Sequence, residues 1–345
     1  MKVVLATHST DKWLGVNKYF YLLAKYIDAD VTVIVDSQKG IESVREICGN
    51  KVNIIRLKPT ATGGIKTIEY CTAISNYLMD HTDFDVLHCG HVLPFVYLLN
   101  KYRNPVVFQP FGNELFTLPP TLYRRMARPI LRYCGNHADV TLAEGAFQHD
   151  DMRKYYPNAI IGNLPVGIEF NPVKREEHHG FQFIAVNSLL PYEGMDEVIN
   201  AFKEVYSHYE SNLVIVGTGS EEAKLRRLSE GYPIDFYSNI SEGKLKDLYA
   251  VSDCFICTSH ETDYQMGVLE GMANGLIVIS RQMDWVPKYV LKFINTEELI
   301  KLMISTRELP PDVRDRIIDN SLNEVQQYRF ENIAKKALKI YEELL

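Results

Sequence analysis

The chain has 345 residues, which at about 150 residues per domain suggests two domains. Apolar residues make up 46% and charged residues 23%, as in an average globular protein, so disordered and fibrous classes are excluded. The net charge of −7 is unlike that of a nucleic-acid binder, and the apolar runs are too short for a membrane-spanning helix. Six scattered cysteines form no disulfide framework, which favours a reducing compartment and a cytoplasmic location.

The first half of the chain alternates short β-branched runs with amphipathic stretches of helical length. Strands are predicted at Lys2–Ala6, Val31–Val35, Asn53–Leu57, Asp85–His88, Val106–Gln109 and Val140–Ala143, and helices at Gly15–Ile27 and Ile65–Met79. Such alternation is typical of a parallel sheet with crossover helices on both faces.

Residues 162–179 interrupt this alternation. Prolines and glycines are followed by the charged run Lys174–His179, which indicates a linker. A second series follows, with strands at Phe181–Val186, Leu213–Gly217, Cys254–Thr258 and Ile277–Ser280 and helices at Asp196–His208, Lys244–Ala250, Gln265–Asn274 and from about Asn320 to the C-terminus.

The two series predict an α/β protein with two Rossmann-like, doubly wound domains facing each other across a cleft. We expect the domains at residues 1–165 and 166–325, with a helix at residues 326–345 that packs back towards the first domain. Ligands of doubly wound sheets bind beyond the carboxyl ends of the strands, so the loops after the strands are the places to search for a site.

The pair Cys254-x-x-Cys257 offers half of a zinc site or a redox pair. It lies in a run that is typical of a buried strand, and no second pair of cysteines or histidines follows at zinc spacing. We therefore expect both cysteines to be structural and predict no metal site.

The segment Thr258–Gly275 predicts a strand end, a polar loop and a helix from Gln265. The first turn of such a helix suits an anion, because its amides are unpaired and lie at the positive end of the helix dipole. Glu270 in the second turn either accepts hydrogen bonds from sugar hydroxyls or lies on a solvated face. Gly217-x-Gly219 after an earlier strand lacks the third glycine of a dinucleotide motif, and it either makes a tight turn or lets a nucleotide approach the backbone.

These segments together resemble the retaining glycosyltransferases of the GT-B fold, family 4. The resemblance runs through Ile184–Phe202, Leu213–Gly219, Thr258–Gly275 and Tyr341–Leu344, with Leu14-Gly15 and Phe84–His88 in the first half and weaker matches at Gly112–Glu114 and Asn163–Phe170. It therefore covers nearly the whole chain.

The resemblance implies a UDP- or GDP-sugar donor on the C-terminal domain and a glycan or lipid-linked acceptor on the N-terminal domain, with transfer by retention and without a metal or other cofactor. Glu270 takes the position of the glutamate that binds the ribose. The glutamate that touches the donor sugar lies eight residues earlier, where this chain has Thr262 between Glu261 and Asp263. The remaining assigned positions are Tyr264, Gln265, Met266, Gly267, Gly217, Gly219 and Gly15 for the donor, and His88, Asn113 and Glu114 for the acceptor or sugar.

Two positions depart from the family at the diphosphate. Ser188 and Glu193 stand where the family has an arginine and a lysine, and each lost charge-assisted contact is worth about 1.5–3 kcal/mol. The carboxylate at 193 would also repel phosphate. In the first domain, Phe111 takes the place of a histidine near the donor sugar.

Three interpretations follow from these departures. In an active enzyme, Arg281 and Lys288 are candidates to replace the missing cations, although both also fit as solvated loop charges. Alternatively, the chain is an inactive GT-B relic that binds a sugar or a partner. Another nucleotide-sugar enzyme of this fold, such as an epimerase, fits the second-half matches less well.

Four arginines lie within nine residues, at positions 124, 125, 128 and 132, with apolar residues between them. A basic amphipathic segment can contact anionic lipid or an anionic lipid-linked acceptor. Arg124, Arg125 and Arg128 are therefore candidates for peripheral contact with a membrane on its cytoplasmic face, and a solvated helix face is the alternative.

Overall fold

A computed structural model describes residues 1–7, 15–61, 63–90, 95–111, 122–144, 152–176, 178–260, 266–283 and 285–345. The chain divides into two compact units. The first comprises Met1–Gly167 together with Phe330–Leu345, and the second comprises Ile168–Arg329.

The first unit contains a parallel sheet with the described strand order β3-β2-β1-β4-β5-β6-β7. Its strands are β1 (Lys2–Ala6), β2 (Asp30–Val35), β3 (Asn53–Arg56), β4 (Val86–Cys89), β5 (Val106–Phe108), β6 (Val140–Ala143) and β7 (Ile161–Asn163). Its described helices are Gly15–Tyr26, Gln38–Cys48, Gly63–Asp80, Phe95–Leu98, Leu122–His137 and Phe330–Glu342.

Alternation of side chains along β1 fills a separate core on each face of this sheet. Val3 and Leu5 pack in the core that includes the first helix and the C-terminal helix. Val4 and Ala6 pack in the core on the opposite face. The predicted alternation of strands and covering helices is confirmed.

The second unit contains a parallel sheet with the described strand order β10-β9-β8-β11-β12-β13. Its strands are β8 (Phe181–Val186), β9 (Ser211–Val216), β10 (Ile234–Tyr237), β11 (Cys254–Cys257), β12 (Ile277–Arg281) and β13 (Leu291–Phe293). Its described helices are Met195–Tyr206, Glu222–Leu228, Glu242–Ala250, Met266–Ala273, Thr296–Arg307 and Pro311–Val325. The chain leaves β8 towards β9 on one side and later places β11 on the other, so the topological switch point lies between β8 and β11.

The prediction of one continuous helix from about Asn320 is wrong. The helix Pro311–Val325 ends in a short 3-10 turn, and Arg329 adopts an extended conformation before a new helix begins at Phe330. The break allows backbone pairing, since the Ile168 amide donates to the Tyr328 carbonyl at 2.9 Å. In the last helix, Ile333 and Ala337 are fully buried.

Both ends of the predicted linker, residues 162–179, contact other parts of the chain. Ile161–Asn163 forms β7 at the edge of the first sheet. At the other end, Arg175 forms an ion pair with the buried Asp253 at 2.9 Å, and the imidazole of His178 lies 3.5 Å from the same carboxylate. These contacts anchor the end of the stretch to the residue before β11.

Cys254 and Cys257 are buried free cysteines, and the alternation of β11 places them on opposite faces of the sheet. The prediction that they lie in a buried strand is confirmed. In the part of the chain that the structure describes, no helix combines the length and the apolar character needed to cross a membrane.

Candidate functional site

Two loops meet at the carboxyl ends of β8 and β11 in the second unit. The Thr258 hydroxyl lies 3.0 and 2.9 Å from the carbonyl oxygens of Glu193 and Gly194, and the His260 amide donates to the Tyr192 carbonyl at 2.9 Å. Gly194 has a φ of +67°, and a Cβ there would lie 2.8 Å from the Thr258 carbonyl oxygen. Glycine is therefore required where the loops join, and the loops hold each other in place at the switch point.

The helix Met266–Ala273 is seated closely on this edge of the sheet by two glycines. A Cβ at Gly267 would lie 2.9 Å from the Phe255 ring and 3.1 Å from the Val186 carbonyl oxygen, and one at Gly271 would lie 2.9 Å from the same ring. The first helical turn therefore lies beside the end of β8. The amides at this N-terminus have the polarity that an anion requires.

Glu270 lies in the second turn of this helix and is half-buried. The hydroxyl of the buried Tyr249, on the helix Glu242–Ala250, donates to Glu270 Oε2 at 3.4 Å. Burial raises the pKa of the Tyr249 phenol well above its usual value, and the Glu270 carboxylate adds to this shift, so the phenol is protonated at neutral pH. Glu270 is thus oriented by its neighbour and does not lie on a fully solvated face.

Ser188 and Glu193, the two positions where the resemblance expects cations, bind each other. The Ser188 hydroxyl donates to Glu193 Oε1 at 2.9 Å, and the Asn187 side-chain amide donates to Glu193 Oε2. Glu193 is only 6% exposed, and these bonds satisfy both of its buried carboxyl oxygens. The loop after β8 therefore presents an internally bonded carboxylate at the switch point.

Arg281, proposed as a replacement cation, does reach the loops, but its charge is paired. Its guanidinium forms an ion pair with Glu197, donates from Nε to the Thr258 carbonyl at 3.2 Å and stacks 5.0 Å from the centre of the Phe293 ring. These contacts give Arg281 a structural role. The expectation that it supplies a free cation does not fit this pairing.

Lys288, the other proposed cation, lies beside the last turns of the helix Pro311–Val325. Its amide donates to Glu324 Oε1 at 2.9 Å, and its ammonium group lies 5.2 Å from the centre of the Tyr289 ring. The residue is exposed, as expected for a loop charge.

Gly217 and Gly219 follow β9 and pack against the loop after β8. A Cβ at Gly217 would lie 1.9 Å from the Asn187 carbonyl oxygen, and one at Gly219 would lie 2.1 Å from that of Leu189. The Leu189 amide also donates to the Thr218 carbonyl at 2.9 Å. Close packing of the chain against itself therefore explains both glycines.

His88, expected near the acceptor, is fully buried in β4 of the first unit. Its Nδ1 lies 2.6 Å from the hydroxyl of Tyr341 on the C-terminal helix, and the Phe20 ring packs edge-on against it at 5.0 Å. Burial lowers the pKa of His88 to about 3, so the ring is neutral at physiological pH. This environment does not fit the expected contact with an acceptor, and we assign His88 a structural role.

Of the other positions assigned from the resemblance, one lies in the core, one begins a helix, and the rest lie outside the described residues. Phe111 is buried and packs against Tyr19 at 5.1 Å between ring centres, and Gly15 begins the first helix. The predicted donor and acceptor residues Asn113, Glu114, Glu261, Thr262, Asp263, Tyr264 and Gln265 lie outside the described residues.

The basic segment forms the helix Leu122–His137 of the first unit. Ala127 and Leu131 face the core, whereas Arg125 and Arg132 are exposed and Arg128 is half-buried. Arg132 donates to the Tyr155 carbonyl at 3.0 Å. The Arg124 side chain is outside the described part of the structure.

Sequence reasoning missed the supporting residues Asn187, Glu197 and Tyr249. Asn187 directly precedes the predicted site residue Ser188, so its position in the sequence could have indicated it. Tyr249 and Glu197 are 21 and 84 residues away from the groups they bind, and no local pattern connects them. Within the described ranges, no cluster of three or more His, Cys, Asp or Glu side chains is arranged to hold a metal ion.

Residues 168–337 match the family described as Glycosyl transferases group 1, and residues 13–167 match the family described as Glycosyltransferase Family 4. No curated protein matches the chain in sequence.

Solved structures share the fold over almost the whole chain. A glycosyltransferase from Rickettsia africae is 15% identical with a TM-score of 0.76, covering 99% of this chain and 98% of its own. Sucrose-phosphate synthase from Thermosynechococcus elongatus is 12% identical with a TM-score of 0.80, covering 100% and 99%. HepE from Anabaena, in complex with UDP and glucose, is 14% identical with a TM-score of 0.78, covering 99% of each chain. With one half matched to each of these two glycosyltransferase families and with this fold, the chain is a glycosyltransferase of the GT-B type.

Proposed function

We propose that this glycosyltransferase moves a sugar from a UDP- or GDP-sugar to a hydroxyl group of a glycan or lipid-linked acceptor, with retention of configuration. The bond between the anomeric carbon and the β-phosphate oxygen breaks, and its electron pair leaves with the nucleoside diphosphate. A new bond forms between the anomeric carbon and the acceptor oxygen, which loses its proton. The barrier falls chiefly when negative charge on the leaving phosphate is stabilised.

The observation that carries this proposal is that Glu270 and the N-terminal amides of Met266–Ala273 lie on one helix at the switch point of the second sheet. Four residues along a helix correspond to about 6 Å. A ribose on Glu270 therefore places an attached diphosphate against the first helical turn. Tyr249 supports this arrangement because it orients the carboxylate for two ribose hydroxyls.

The sugar and the acceptor are assigned to segments flanking this helix and to the first unit. We propose that Glu261, Thr262 and Asp263 contact the donor sugar, and that Asn113 and Glu114 contribute to the acceptor site. No metal or other cofactor takes part in this proposal. A UDP-sugar donor gains support from HepE, which has the same fold and was solved with UDP and glucose.

A second candidate function is sugar or partner binding without transfer. The bond between Ser188 and Glu193 favours it, because a carboxylate replaces a cation where the leaving diphosphate needs stabilisation. Both candidate functions use the same donor site, but only the first includes transfer of the sugar.

A thermal-shift panel of UDP-, GDP- and ADP-sugars, followed by an assay for nucleoside diphosphate release, tests the proposal. We expect one donor to raise the melting temperature, Glu270→Ala to remove the shift, and Glu230→Ala, an exposed change in the same unit, to retain it. Stabilisation without release, in the presence of glycan and lipid-linked acceptors, would favour the binding function. The absence of a shift with every nucleotide would contradict the donor site.

A further inference from the structure

A polar cavity of about 260 Å³ lies in the first unit, between the amino ends of β1, β2 and β3 and the last turn of the helix Gly63–Asp80. Its volume is just below the range of about 300–1,000 Å³ that is usual for drug-sized ligands, so it suits a smaller molecule. Ligands of a doubly wound sheet are expected beyond the carboxyl ends of the strands, roughly 16 Å away along β1. The cavity is therefore at the opposite edge of the sheet.

The sheet lines this cavity with polar side chains because its buried face ends at the amino ends of the strands. Val4 packs in the core under the covering helix, whereas Lys2, two residues earlier on the same face, reaches the cavity. Parallel pairing places Asp30 beside Lys2. In the same way it places Asn53 beside Thr32, and the Asn53 side-chain amide donates to Asp30 Oδ1 at 3.3 Å. An ammonium, a carboxylate, an amide and a hydroxyl group therefore lie together on one face.

Two stacked aromatic rings line the cavity on the side of the helix. The ring centres of Tyr77 and His81 lie 4.2 Å apart, and the rings are inclined by 15°. The His81 amide donates to the Tyr77 carbonyl at 2.9 Å, and its Nδ1 donates to the same oxygen at 3.0 Å. These bonds hold the pair in place, and the faces of such rings carry the partial negative charge that attracts C–H groups.

Three carboxylates act on one lysine ammonium beside the cavity. Lys2 Nζ lies 2.6 Å from Asp83 Oδ2, and this contact raises the pKa of Lys2, so the ammonium stays charged at neutral pH. Asp30 and Asp85 attract the same ammonium. The Asp83 side chain is 91% exposed, so the cavity opens to solvent on this side. The excess of carboxylates favours a neutral or cationic ligand over an anion.

Hydrogen-bond donors and acceptors alternate along the polar wall of the cavity. Asp30 offers carboxylate oxygens between the ammonium of Lys2 on one strand and the amide of Asn53 on the other. Neighbouring sugar hydroxyls both donate and accept, so they need this alternation, and the C–H groups of a sugar ring suit the aromatic wall. A metal ion fits less well, since the described ranges contain no cluster of three His, Cys, Asp or Glu side chains arranged for one.

We infer that this cavity binds one neutral or amine-bearing sugar residue, as a second carbohydrate site away from the carboxyl edge of the sheet. The inference goes beyond the proposed function, because neither a nucleotide nor sugar transfer enters it. A ligand of about 12 non-hydrogen atoms binds weakly, so a monosaccharide is expected to bind with a Kd on the order of 1–10 mM.

Saturation-transfer NMR titration of the intact protein with the methyl glycosides of glucose, galactose, mannose and N-acetylglucosamine tests the inference. We expect at least one of them to bind the parent and to lose about tenfold in affinity in Asp30→Ala, because hydrogen bonds to a charged group are removed. The matched control is Glu46→Ala, which removes an exposed carboxylate from the helix Gln38–Cys48 on the other face of the sheet. It should bind sugars like the parent.

The charge preference of the cavity is tested with sugars of different charge. Glucosamine should bind the parent at least as tightly as glucose, and glucuronic acid several-fold more weakly, because carboxylates predominate at the cavity. Cyclohexylamine carries the charge of glucosamine without its hydroxyl groups. Equal binding of these two amines would indicate a site for cations in general and would overturn the inference.

A second variant keeps the test decisive if Asp30→Ala does not fold. Asn53→Ala changes an exposed residue of β3 and should lower sugar affinity about 2- to 10-fold. If the parent binds none of the sugars, or if the folded variants bind them with the affinity of the parent, the inference is overturned. Neither result affects the nucleotide and release assays, so the proposed function is decided separately.

Discussion

Tyr249 and Glu270 are joined by a hydrogen bond of 3.4 Å between two helices of the second unit. The phenol is buried, whereas the carboxylate is half-buried and retains an accessible side. The bond therefore sets the direction of a carboxylate that we propose to bind ribose. Tyr249→Phe removes only the hydroxyl, and we expect nucleotide affinity to fall about 2- to 10-fold with little change in melting temperature.

Calorimetric titration of the nucleotide checks this prediction. Tyr209→Phe is the matched control, because its hydroxyl donates to the exposed Glu308 at 2.7 Å in another part of the unit. Equal affinity of Tyr249→Phe and the parent protein would rule out an orienting role.

The burial of His88 makes the first unit sensitive to acid. The folded-state pKa of His88 is about 3, against about 6.5 in an unfolded chain, so the unfolded state binds a proton first as the pH falls. The contribution of His88 to stability is therefore unchanged above pH 6.5 and is lost progressively below it, at about 1.4 kcal/mol per pH unit. Denaturant unfolding between pH 7 and pH 4.5 should show a shallower loss of stability in His88→Gln than in the parent.

The exposed His208 provides the control for this experiment. His208→Gln should keep the pH dependence of the parent. An identical pH slope for His88→Gln and the parent would mean that His88 is not held neutral in the folded protein.

Gly217→Ala should destabilise the second unit, because its Cβ would lie 1.9 Å from the Asn187 carbonyl oxygen. Relief of that overlap requires movement of backbone, and we expect a loss of about 3 kcal/mol in the free energy of unfolding. Gly243→Ala is the comparison, since its Cβ would meet only Ser241 Oγ, at 4.0 Å. Denaturant unfolding gives the free energy of unfolding of both variants. If Gly217→Ala were as stable as Gly243→Ala, the packing explanation of Gly217 would be refuted.

The helix Leu122–His137 carries the proposed membrane contact. If Arg125 and Arg128 bind anionic lipid, their joint replacement by glutamate should remove most sedimentation with phosphatidylglycerol vesicles, because each basic residue near such a surface contributes about 1 kcal/mol. Arg316→Glu changes an exposed arginine of the second unit and should sediment like the parent. If the parent protein did not sediment with the vesicles, the proposed membrane contact would be contradicted.

Strands and helices with clear periodicity were predictable, because burial on both faces of a parallel sheet leaves an apolar run such as Phe181–Val186. The edge strands β7, β10 and β13 were missed, since their short and half-exposed runs carry little pattern. The break at Arg329 also left no local sign, because it depends on pairing with Ile168, 161 positions away in the chain.

Those parts of the candidate site that depend on neighbouring segments of the sequence were predictable. Glu270 and the helix start follow from a strand, a polar loop and a glycine-containing helix in sequence. The bond between Ser188 and Glu193 and the ion pair between Arg281 and Glu197 depend on side-chain positions within and between loops, which spacing alone does not specify.

The most direct measurement compares binding of a nucleoside diphosphate with that of its 2′,3′-dideoxy analogue, in the parent protein and in Glu270→Gln. If Glu270 holds the ribose, the parent should bind the analogue at least tenfold more weakly, and the variant should bind both ligands with nearly equal affinity. Equal affinities in the parent, or the same discrimination in parent and variant, would contradict the assignment of Glu270.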